Sequence, residues 1–328
     1  MRLRKKRQRQ AERLRLFFAS DIHASERCWR KFLAAADAYR VDLLVMGGDV
    51  TGKAVIPLVA NGSGYVTTAG GMTQRVESAS DRARLERRLQ DQGYYTAVLE
   101  REEVPKENTR EYDDLYRRLA LETVERWLAL AEEKLAGKGC RLLFLPGNDD
   151  LWDIDPLIAE SSVAENPEGK ALDLGEGYGI ISTGFANPTP WNTPRELPED
   201  ELERMLERIS AGARFKRLLL LAHVPPFNST LDLAPKVNKV ETSDEVVHDL
   251  SFGQPQLVPV GSTAVRRFIE LHRPLVGLHG HVHEARGIAR VGATTCINPG
   301  SEFRSGDIGG AILELRGSSV HQCQLINA

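Results

Sequence analysis

The stretch LRLFFASDIH, residues 14–23, is a short apolar run that ends in the polar side chains Asp21 and His23. Four later stretches have the same form, an apolar run followed at once by a turn residue or a polar side chain. They are VDLLVMGGD (residues 41–49), RLLFLPGND (141–149), RLLLLAH (217–223) and PLVGLHGHVH (274–283). Runs of this length, rich in Leu, Val and Phe, are typical of buried strands. The chain therefore contains five predicted strands, each of which ends in a polar group.

Helical patterns lie between these strands. The spacing of apolar residues predicts helices over 26–38, 109–136, 199–213 and 261–272. Strands that alternate with helices indicate an α/β fold. Apolar segments between 287 and 328, separated by NPGS and RGSS, predict antiparallel strands that close the fold.

The segment from about 52 to 108 interrupts the alternation. Its first half predicts a hairpin with turn residues at 61–64, and the charged stretch DRARLERRLQDQ (81–92) predicts a helix. Because it follows the strand that ends at Asp49, we interpret it as a small inserted cap or lid beside a site. The alternative is an insertion without a role at the site.

The composition is that of an ordinary globular protein, with 41% hydrophobic and 27% charged residues in 328. No apolar run approaches the roughly 18 residues of a membrane span, and no secretory signal is recognisable, so we expect no membrane association. The four cysteines form no CxxC pair. Reduced thiols and a cytoplasmic location are therefore expected.

Charge is concentrated at the start of the chain. Residues 1–15 carry eight Arg and Lys against Glu12, a local charge of +7, so the remainder is near −10 for a total of −3. We treat 1–15 as a basic tail and 16–328 as one domain. Nucleic acid is a possible partner of the tail, and a solvated terminus is the alternative. The acidic remainder argues against a broad nucleic-acid-binding surface.

The polar residues at the strand ends are suited to binding metal ions. In an extended segment, residues two apart point to one side, so Asp21 and His23 are expected to bind one ion together. By the same spacing, His281 and His283 can serve two adjacent ions. Carboxylate, imidazole and amide ligands suit Mn, Fe, Zn or Co, and no thiolate takes part.

Taken in order, Asp21-x-His23, Gly48-Asp49, Gly147-Asn148, His223 and Gly280-His281-x-His283 resemble the calcineurin-like metallophosphoesterases. That family's pattern is D-x-H, G-D, G-N-H-[DE], a single His after an apolar strand, and G-H-x-H. The resemblance runs from residue 16 to about 301, apart from the insertion. It implies two packed mixed β-sheets flanked by helices, a four-layer αββα sandwich.

The resemblance also implies two divalent metal ions. One would be bound by Asp21, His23, Asp49 and His283, and the other by Asp49, Asn148, His223 and His281, so that Asp49 bridges them. The implied activity is hydrolysis of a phosphate ester by a water molecule that two metal ions activate. We favour a phosphodiester; a phosphomonoesterase, a nuclease or a non-catalytic scaffold are the alternatives.

The sequence departs from the family at Asp149, which stands where the family has a histidine that protonates the leaving group. An aspartate with an ordinary pKa is ionised at neutral pH and is a poor general acid. Asp149 and Asp150 are therefore catalytic candidates that would orient a histidine ligand or a water molecule. His279 is a third candidate, placed to reach the phosphate, with a packed histidine as the alternative.

Two loops supply candidate substrate contacts besides Asn148. Residues 184–196 contain Trp191 and Arg195, and we consider Arg195 a candidate phosphate clamp. An ordinary surface loop is the alternative. Asn228, which follows His223 by five residues, is a second candidate on the site's border.

Overall fold

The computed structural model describes residues 13–69, 71–239, 246–251 and 254–328. Two six-stranded mixed sheets form its centre. In spatial order, the first sheet contains β22 (Ser319–Asn327), β21 (Gly309–Arg316), β1 (Arg13–Ala19), β2 (Leu43–Met46), β7 (Arg141–Phe144) and β8 (Ala164–Glu165). The second contains β19 (Gly287–Val291), β20 (Thr294–Asn298), β18 (Val276–Leu278), β11 (Arg217–Ala222), β10 (Tyr178–Thr183) and β9 (Ala171–Gly175).

The two sheets pack face to face. In β1, Leu16 and Phe18 belong to the apolar layer that also contains Leu219 and Leu221 of β11. Phe17 points the other way, into a separate cluster that includes Trp29. This alternation follows from the period of two in a strand, and here both faces are buried.

Helices cover both outer faces. Helices α1 (Glu26–Tyr39), α3 (Arg110–Leu135) and α4 (Ile154–Glu160) pack on the first sheet, and α5 (Glu199–Ser210) and α6 (Thr263–His272) on the second. The Trp29 and Trp127 rings stack at 5.1 Å between α1 and α3. The four-layer αββα fold predicted from the sequence is confirmed.

Three of the predicted helices begin at a side-chain cap. Ser25, Thr109 and Ser262 each accept a hydrogen bond from a backbone amide in the first turn of α1, α3 and α6. Strand β1 begins at Arg13, inside the predicted tail 1–15. It pairs antiparallel with β21, and Arg13 lies opposite Arg316. Residues 1–12, and with them the predicted nucleic-acid contact, lie outside the described residues.

The inserted segment forms a small sheet and a helix. Strands β5 (Met72–Val76), β4 (Gly64–Ala69), β3 (Val55–Asn61) and β6 (Tyr95–Leu99) lie in that order, with α2 (Ala79–Asp91) and a 3₁₀ turn at Arg101–Glu103. The predicted hairpin at 61–64 is confirmed by the pairing of β3 with β4. The segment packs against the loop after β1, since the hydroxyl of Ser25 donates to the Asp91 carbonyl at 2.6 Å.

The remaining elements are short. Strands β12 (Leu233–Pro235) and β17 (Leu257–Pro259), β13 (Val237–Lys239) and β14 (Val246–His248), and β15 (Leu250–Ser251) and β16 (Gln254–Pro255) form three two-stranded ribbons. A second 3₁₀ turn covers Phe303–Ser305. The closing strands, predicted to be antiparallel, pair in that sense as β19 with β20 and as β21 with β22, and β20 also pairs in parallel with β18. None of the described helices has the length and apolar character needed to cross a membrane.

Candidate metal centre

The seven predicted metal ligands follow strands of both sheets. The first sheet supplies Asp21 and His23 after β1, Asp49 after β2 and Asn148 after β7. The second supplies His223 after β11, and His281 and His283 after β18. In parallel strands the carboxyl ends meet at one edge, which is where such sheets place their sites. The structure brings all seven side chains to this common edge.

The ligand loops are not extended, as the two-residue spacing argument assumed. Asp21, His23, Asp49 and His281 all have left-handed backbones, with φ of 57°, 39°, 50° and 65°. Such values are uncommon for residues other than glycine and cluster at functional sites. The side chains therefore converge through tight turns. The side chains of Asp21 and His23 do lie close together, but the extended backbone that the sequence argument assumed for them was wrong.

Two of these loops are bonded to each other. The backbone amide of Asp21 donates to the Gly48 carbonyl at 2.9 Å, and that of His23 donates to the Asp49 carbonyl at 3.0 Å. The backbone amide of His281 donates to both carboxylate oxygens of Asp21, at 3.0 and 3.1 Å. These bonds fix the relative positions of four predicted ligands, Asp21, His23, Asp49 and His281, before any ion is considered.

Glycines directly precede the proposed ligands Asp49 and His281, because a side chain at Gly48 or Gly280 would clash with neighbouring atoms. A Cβ on Gly48, whose φ is 114°, would lie 2.6 Å from Nδ1 of His223. A Cβ on Gly280 would lie 2.3 Å from Oδ2 of Asp21. The glycines thus allow ligands from different strands to pack directly on the neighbouring backbone.

The first group of ligand atoms belongs to Asp21, His23 and His283, all within 4.8 Å of one another. Nε2 of His23 lies 3.1 Å from Nε2 of His283, which lies 3.5 Å from Oδ1 of Asp21. Nδ1 of His23 lies 3.2 Å from the Thr51 carbonyl, to which it can donate its proton. That bond leaves Nε2 free to bind an ion.

The second group belongs to Asp49, His223 and His281, again within 4.8 Å. Nδ1 of His223 donates to the Gly47 carbonyl at 2.8 Å, while its Nε2 faces Oδ1 of Asp49 at 3.4 Å. Oδ1 of Asn148 lies 2.8 Å from Nδ1 of His281. Oδ2 of Asp49 lies 3.9 Å from Nε2 of His23 in the first group. Asp49 therefore faces both groups, as a bridging ligand must.

Burial and neighbouring charge set the protonation of these histidines in the metal-free protein. Burial lowers the pKa of His23 to about 3 and that of His281 to about 4, so both are neutral at pH 7. Burial also acts to lower the pKa of His223, but the carboxylates of Asp49 and Asp21 outweigh it and raise that pKa to about 9. Neutral imidazole is the form that binds metal.

The donor set fits divalent metal ions. Imidazole nitrogen, carboxylate oxygen and one amide oxygen are ligands that Mn, Fe, Zn and Co accept. Nε2 of His223 is buried and has no well-directed hydrogen-bond partner among the described residues. Such a group is costly unless something pairs with it. A cation between His223 and Asp49 would satisfy both.

Two candidate site residues predicted from the sequence do not face this centre. The Arg195 guanidinium is fully buried and donates to the Leu151 carbonyl at 3.1 Å and to the Asp155 carboxylate at 2.9 Å. The structure does not support it as a phosphate clamp. His279 is also fully buried; its Nδ1 donates to the Ala222 carbonyl, and its Nε2 lies above Gly277. It therefore points into the sheet, and it belongs neither to the ligand groups nor to the cavity lining described here.

Asp150 is a brace for the Asp49 loop. Its carboxylate is fully buried and accepts hydrogen bonds from the backbone amides of Val50, Thr51 and Gly147 and from the Thr51 hydroxyl. With its oxygens used in this way it holds the backbone that follows Asp49, and it does not line the cavity described below. Asn228 lies in a left-handed turn with φ of 53°, where its backbone amide donates to Asp232. It does not line the cavity described below.

Sequence reasoning missed Lys53. Its ammonium group pairs with the Asp149 carboxylate beside the candidate centre. Burial lowers the pKa of Lys53, but Asp49 and Asp149 outweigh this and raise it, so the side chain stays charged. Burial, and then the charge of Asp49, raise the pKa of Asp149 to about 6. The one available signal was that Lys53 follows Asp49 by four residues.

A cavity of about 510 Å³ opens onto the centre. Its lining includes Asp49, Asn148, Asp149, His281 and His283. Of the predicted cap 52–108, Lys53 is the one described residue that lines it. The rest of the insertion supports the back of the His23 loop, where a Cβ on Gly93 would lie 2.2 Å from the His23 carbonyl oxygen.

No family model matches the chain. An uncharacterized protein of Methanocaldococcus jannaschii, MJ1162, is 30% identical over 161 residues, which are 48% of this chain and 63% of that protein. The match therefore spans less than two thirds of that relative's length.

Solved structures resemble the chain over nearly its whole length. One crystal structure has a TM-score of 0.58 at 17% identity, covering 96% of this chain and 98% of the other. The protein TT1561 of Thermus thermophilus has a TM-score of 0.51 at 13% identity, with the same coverage. A dimetal phosphatase from Danio rerio has a TM-score of 0.47 at 10% identity, covering 95% and 98%. The first two likenesses show that the chain shares its fold with proteins of known structure.

Proposed function

We propose that the chain is a metal-dependent phosphoesterase of the calcineurin-like kind, with a phosphodiester as its preferred substrate. The observation that supports this best is the pair of ligand groups, Asp21, His23 and His283 on one side and Asp49, His223 and His281 on the other. Asp49 faces both groups, and the buried Nε2 of His223 lacks a well-directed partner among the described residues.

We propose that the residues divide between two ion positions in the way that the family resemblance implies. Asp21, His23, Asp49 and His283 would hold one ion, and Asp49, Asn148, His223 and His281 the other. Two divalent ions in such a site activate water and neutralise phosphoryl oxygens. The protein's own contribution is to hold these ligands in place through the Asp150 brace and the bonds between loops.

Lys53 would act on the substrate directly. Its ammonium group lines the cavity and remains charged, so it can stabilise negative charge that develops on a phosphoryl or leaving-group oxygen. The carboxylates of Asp149 and Glu284 also line the cavity. Lys53 and Arg304 line the same cavity and offset the repulsion of a dianion by these carboxylates. We favour the diester because Asp149 stands where the resembling family has a proton donor.

The test is metal content and hydrolysis in matched variants. Asp49→Asn should lower the content of Mn, Fe or Zn after reconstitution and reduce cleavage of an activated phosphodiester by roughly 100-fold or more. Asp37→Asn is the control, because Asp37 is an exposed residue of α1 that pairs with Lys138. Full metal content and activity in Asp49→Asn would show that the centre is wrongly assigned. Faster cleavage of monoesters than of diesters would overturn the diester preference alone.

A further inference from the structure

One part of the cavity wall is apolar, although the candidate metal centre beside it is charged. This part consists of Trp191, Ala234, Pro235, Val237, Val260 and Val282. A wall of this kind has no use for the phosphate itself, which interacts with ions and cations. It fits an apolar part of the substrate next to the phosphate.

Trp191 is the largest side chain of this wall, and 62% of it is exposed. Trp29 and Trp127, by contrast, are buried in the core. Trp152 is also exposed, but its ring packs under the Arg195 guanidinium at 4.0 Å. Within the described part of the chain, the Trp191 ring has no aromatic or cationic neighbour of this kind. Its flat face is therefore available to a ligand.

The loop that carries Trp191 is held in one conformation. The Glu196 carboxylate accepts hydrogen bonds from the backbone amides of Thr189 and Thr193, at 3.0 and 2.9 Å, and from both threonine hydroxyls. The backbone amide of Trp191 donates to the Thr189 hydroxyl at 3.2 Å. Because one carboxylate holds the loop on both sides of Trp191, the loop is preorganised for ligand binding.

The same loop is bonded to the candidate centre. Nδ2 of Asn148 donates to the Thr193 hydroxyl at 2.7 Å, while Oδ1 of Asn148 lies 2.8 Å from Nδ1 of His281. Thr193, two residues after Trp191, is thus in direct contact with the candidate metal ligand Asn148. The distance between the aromatic surface and the phosphate position is therefore fixed by a short chain of bonds.

We propose that Trp191 and the adjoining aliphatic wall form a binding site for a flat aromatic substituent of the phosphate ester, such as a nucleobase or an aryl group. This inference rests on the proposed function, since it places the phosphate at the metal centre. Stacking of a base on an aromatic side chain strengthens binding roughly tenfold to a hundredfold. The cavity volume of about 510 Å³ is in the range of sites for ligands of nucleotide size.

The experiment compares four phosphate monoesters as inhibitors of diester cleavage by the manganese-loaded protein: adenosine 5′-monophosphate, phenyl phosphate, cyclohexyl phosphate and methyl phosphate. We expect the two flat compounds to bind at least roughly tenfold more tightly than the other two. Trp191→Ala should remove this advantage, and Trp191→Phe should keep most of it. Binding of methyl phosphate, measured by calorimetry, should be equal in all three proteins.

The outcomes separate this inference from the proposed function. If cyclohexyl phosphate binds as tightly as phenyl phosphate, or if Trp191→Ala weakens all four compounds equally, the aromatic site is wrong and the phosphoesterase stands. If neither methyl phosphate nor adenosine 5′-monophosphate binds and no diester is cleaved, both proposals fail. A preference for the adenosine compound over phenyl phosphate would identify nucleotides as the substrate class, and the reverse preference would identify aryl esters.

Discussion

Lys53 and Asp149 form an ion pair at the edge of the candidate metal centre. The backbone amide of the same Asp149 donates to Oδ1 of Asp49 at 3.0 Å. The pair is therefore tied to the residue that faces both ligand groups. A positive charge stands beside the position at which the resembling family has its histidine.

Lys53→Met should lower kcat/KM for diester hydrolysis by roughly 10- to 100-fold, because it removes a cation that stabilises the developing negative charge. Lys53→Arg should retain a larger share of the activity. Metal content should stay unchanged in both, since Lys53 is not a proposed ligand. Lys138→Met is the matched control, because Lys138 is an exposed residue that pairs with Asp37, and neither residue lines the cavity at the candidate centre. Unchanged kcat/KM in Lys53→Met would remove Lys53 from the mechanism.

Hydrolysis should depend steeply on the leaving group. Above the pKa of about 6 that burial and Asp49 give Asp149, its carboxyl group is mostly ionised, so the leaving group receives little help from a proton donor. Aryl diesters should therefore react far faster than alkyl diesters between about pH 7 and 8. Asp149→His should raise the alkyl rate by on the order of tenfold, since general acid catalysis is worth 10²–10⁴-fold when geometry is ideal. Similar rates for both esters in the unaltered protein, with chemistry rate-limiting, would contradict this.

Metal affinity should rise with pH. In the metal-free protein the pKa of His223 is about 9, so at pH 7 an ion must displace a proton from Nε2. We expect affinity to increase roughly tenfold per pH unit between about pH 7 and 8.5, with one proton released. Calorimetry in buffers of different ionisation enthalpy measures that release directly. Proton release close to zero at pH 7 would show that His223 is already neutral.

The stability of the metal-free protein should change in the opposite direction. The pKa of His223 is about 6.5 in the unfolded chain and about 9 in the folded protein, so protonation of His223 stabilises the fold. This stabilisation is complete below about pH 6.5 and is lost as the pH rises through about 9. The free energy of unfolding should therefore fall over this window, by a few kcal/mol at most. Chemical denaturation at pH 6.5 and 9 with a chelator present checks the sign.

Gly93→Ala should damage the metal site from outside it. Gly93 has φ of 85°, and an added Cβ would lie 2.2 Å from the His23 carbonyl oxygen and 2.9 Å from the Phe303 ring. We expect a loss of about 2–4 kcal/mol in the free energy of unfolding and weaker metal binding. Gly62→Ala is the control, since φ there is 62° but no atom lies within 4 Å of the added Cβ. It should cost about 1 kcal/mol and leave metal binding intact. Equal metal affinity in both variants would refute the supporting role of the insertion.

The sequence predicted the five strands that lead into the proposed ligands, because each strand depends on a local pattern. Apolar runs bounded by turn residues mark β1, β2, β7, β11 and β18. The polar residue that follows each run must lie at the carboxyl end of that strand, because it is next in the sequence. Parallel strands then bring those residues together without further information. Asp21 and His283 are 262 positions apart in the chain, yet their side chains lie 3.5 Å apart.

The failures concern side-chain direction and distant partners. His279 precedes His281 by two residues, but the left-handed φ of 65° at His281 breaks the alternation that would have put both rings on one side. Arg195 is bound by Asp155, a partner 40 residues earlier in the chain that no local pattern reveals. Lys53 lies in a turn, and its pairing with Asp149 depends on how two loops meet.

Each ligand group takes members from both sheets. In the first, Asp21 and His23 follow β1 and His283 follows β18; in the second, Asp49 follows β2 whereas His223 and His281 follow β11 and β18. The first sheet alone brings His23, Asp49 and Asp149 together, but it lacks the three histidines that follow β11 and β18. The proposed two-ion site can therefore exist only after the two halves of the sandwich have docked. An ion bound there would act as a cross-link between them, much as a disulfide joins two segments, with the difference that a chelator can remove it. Metal capture would then come late in folding, and the rate at which ions escape would report how often the two sheets part at this edge.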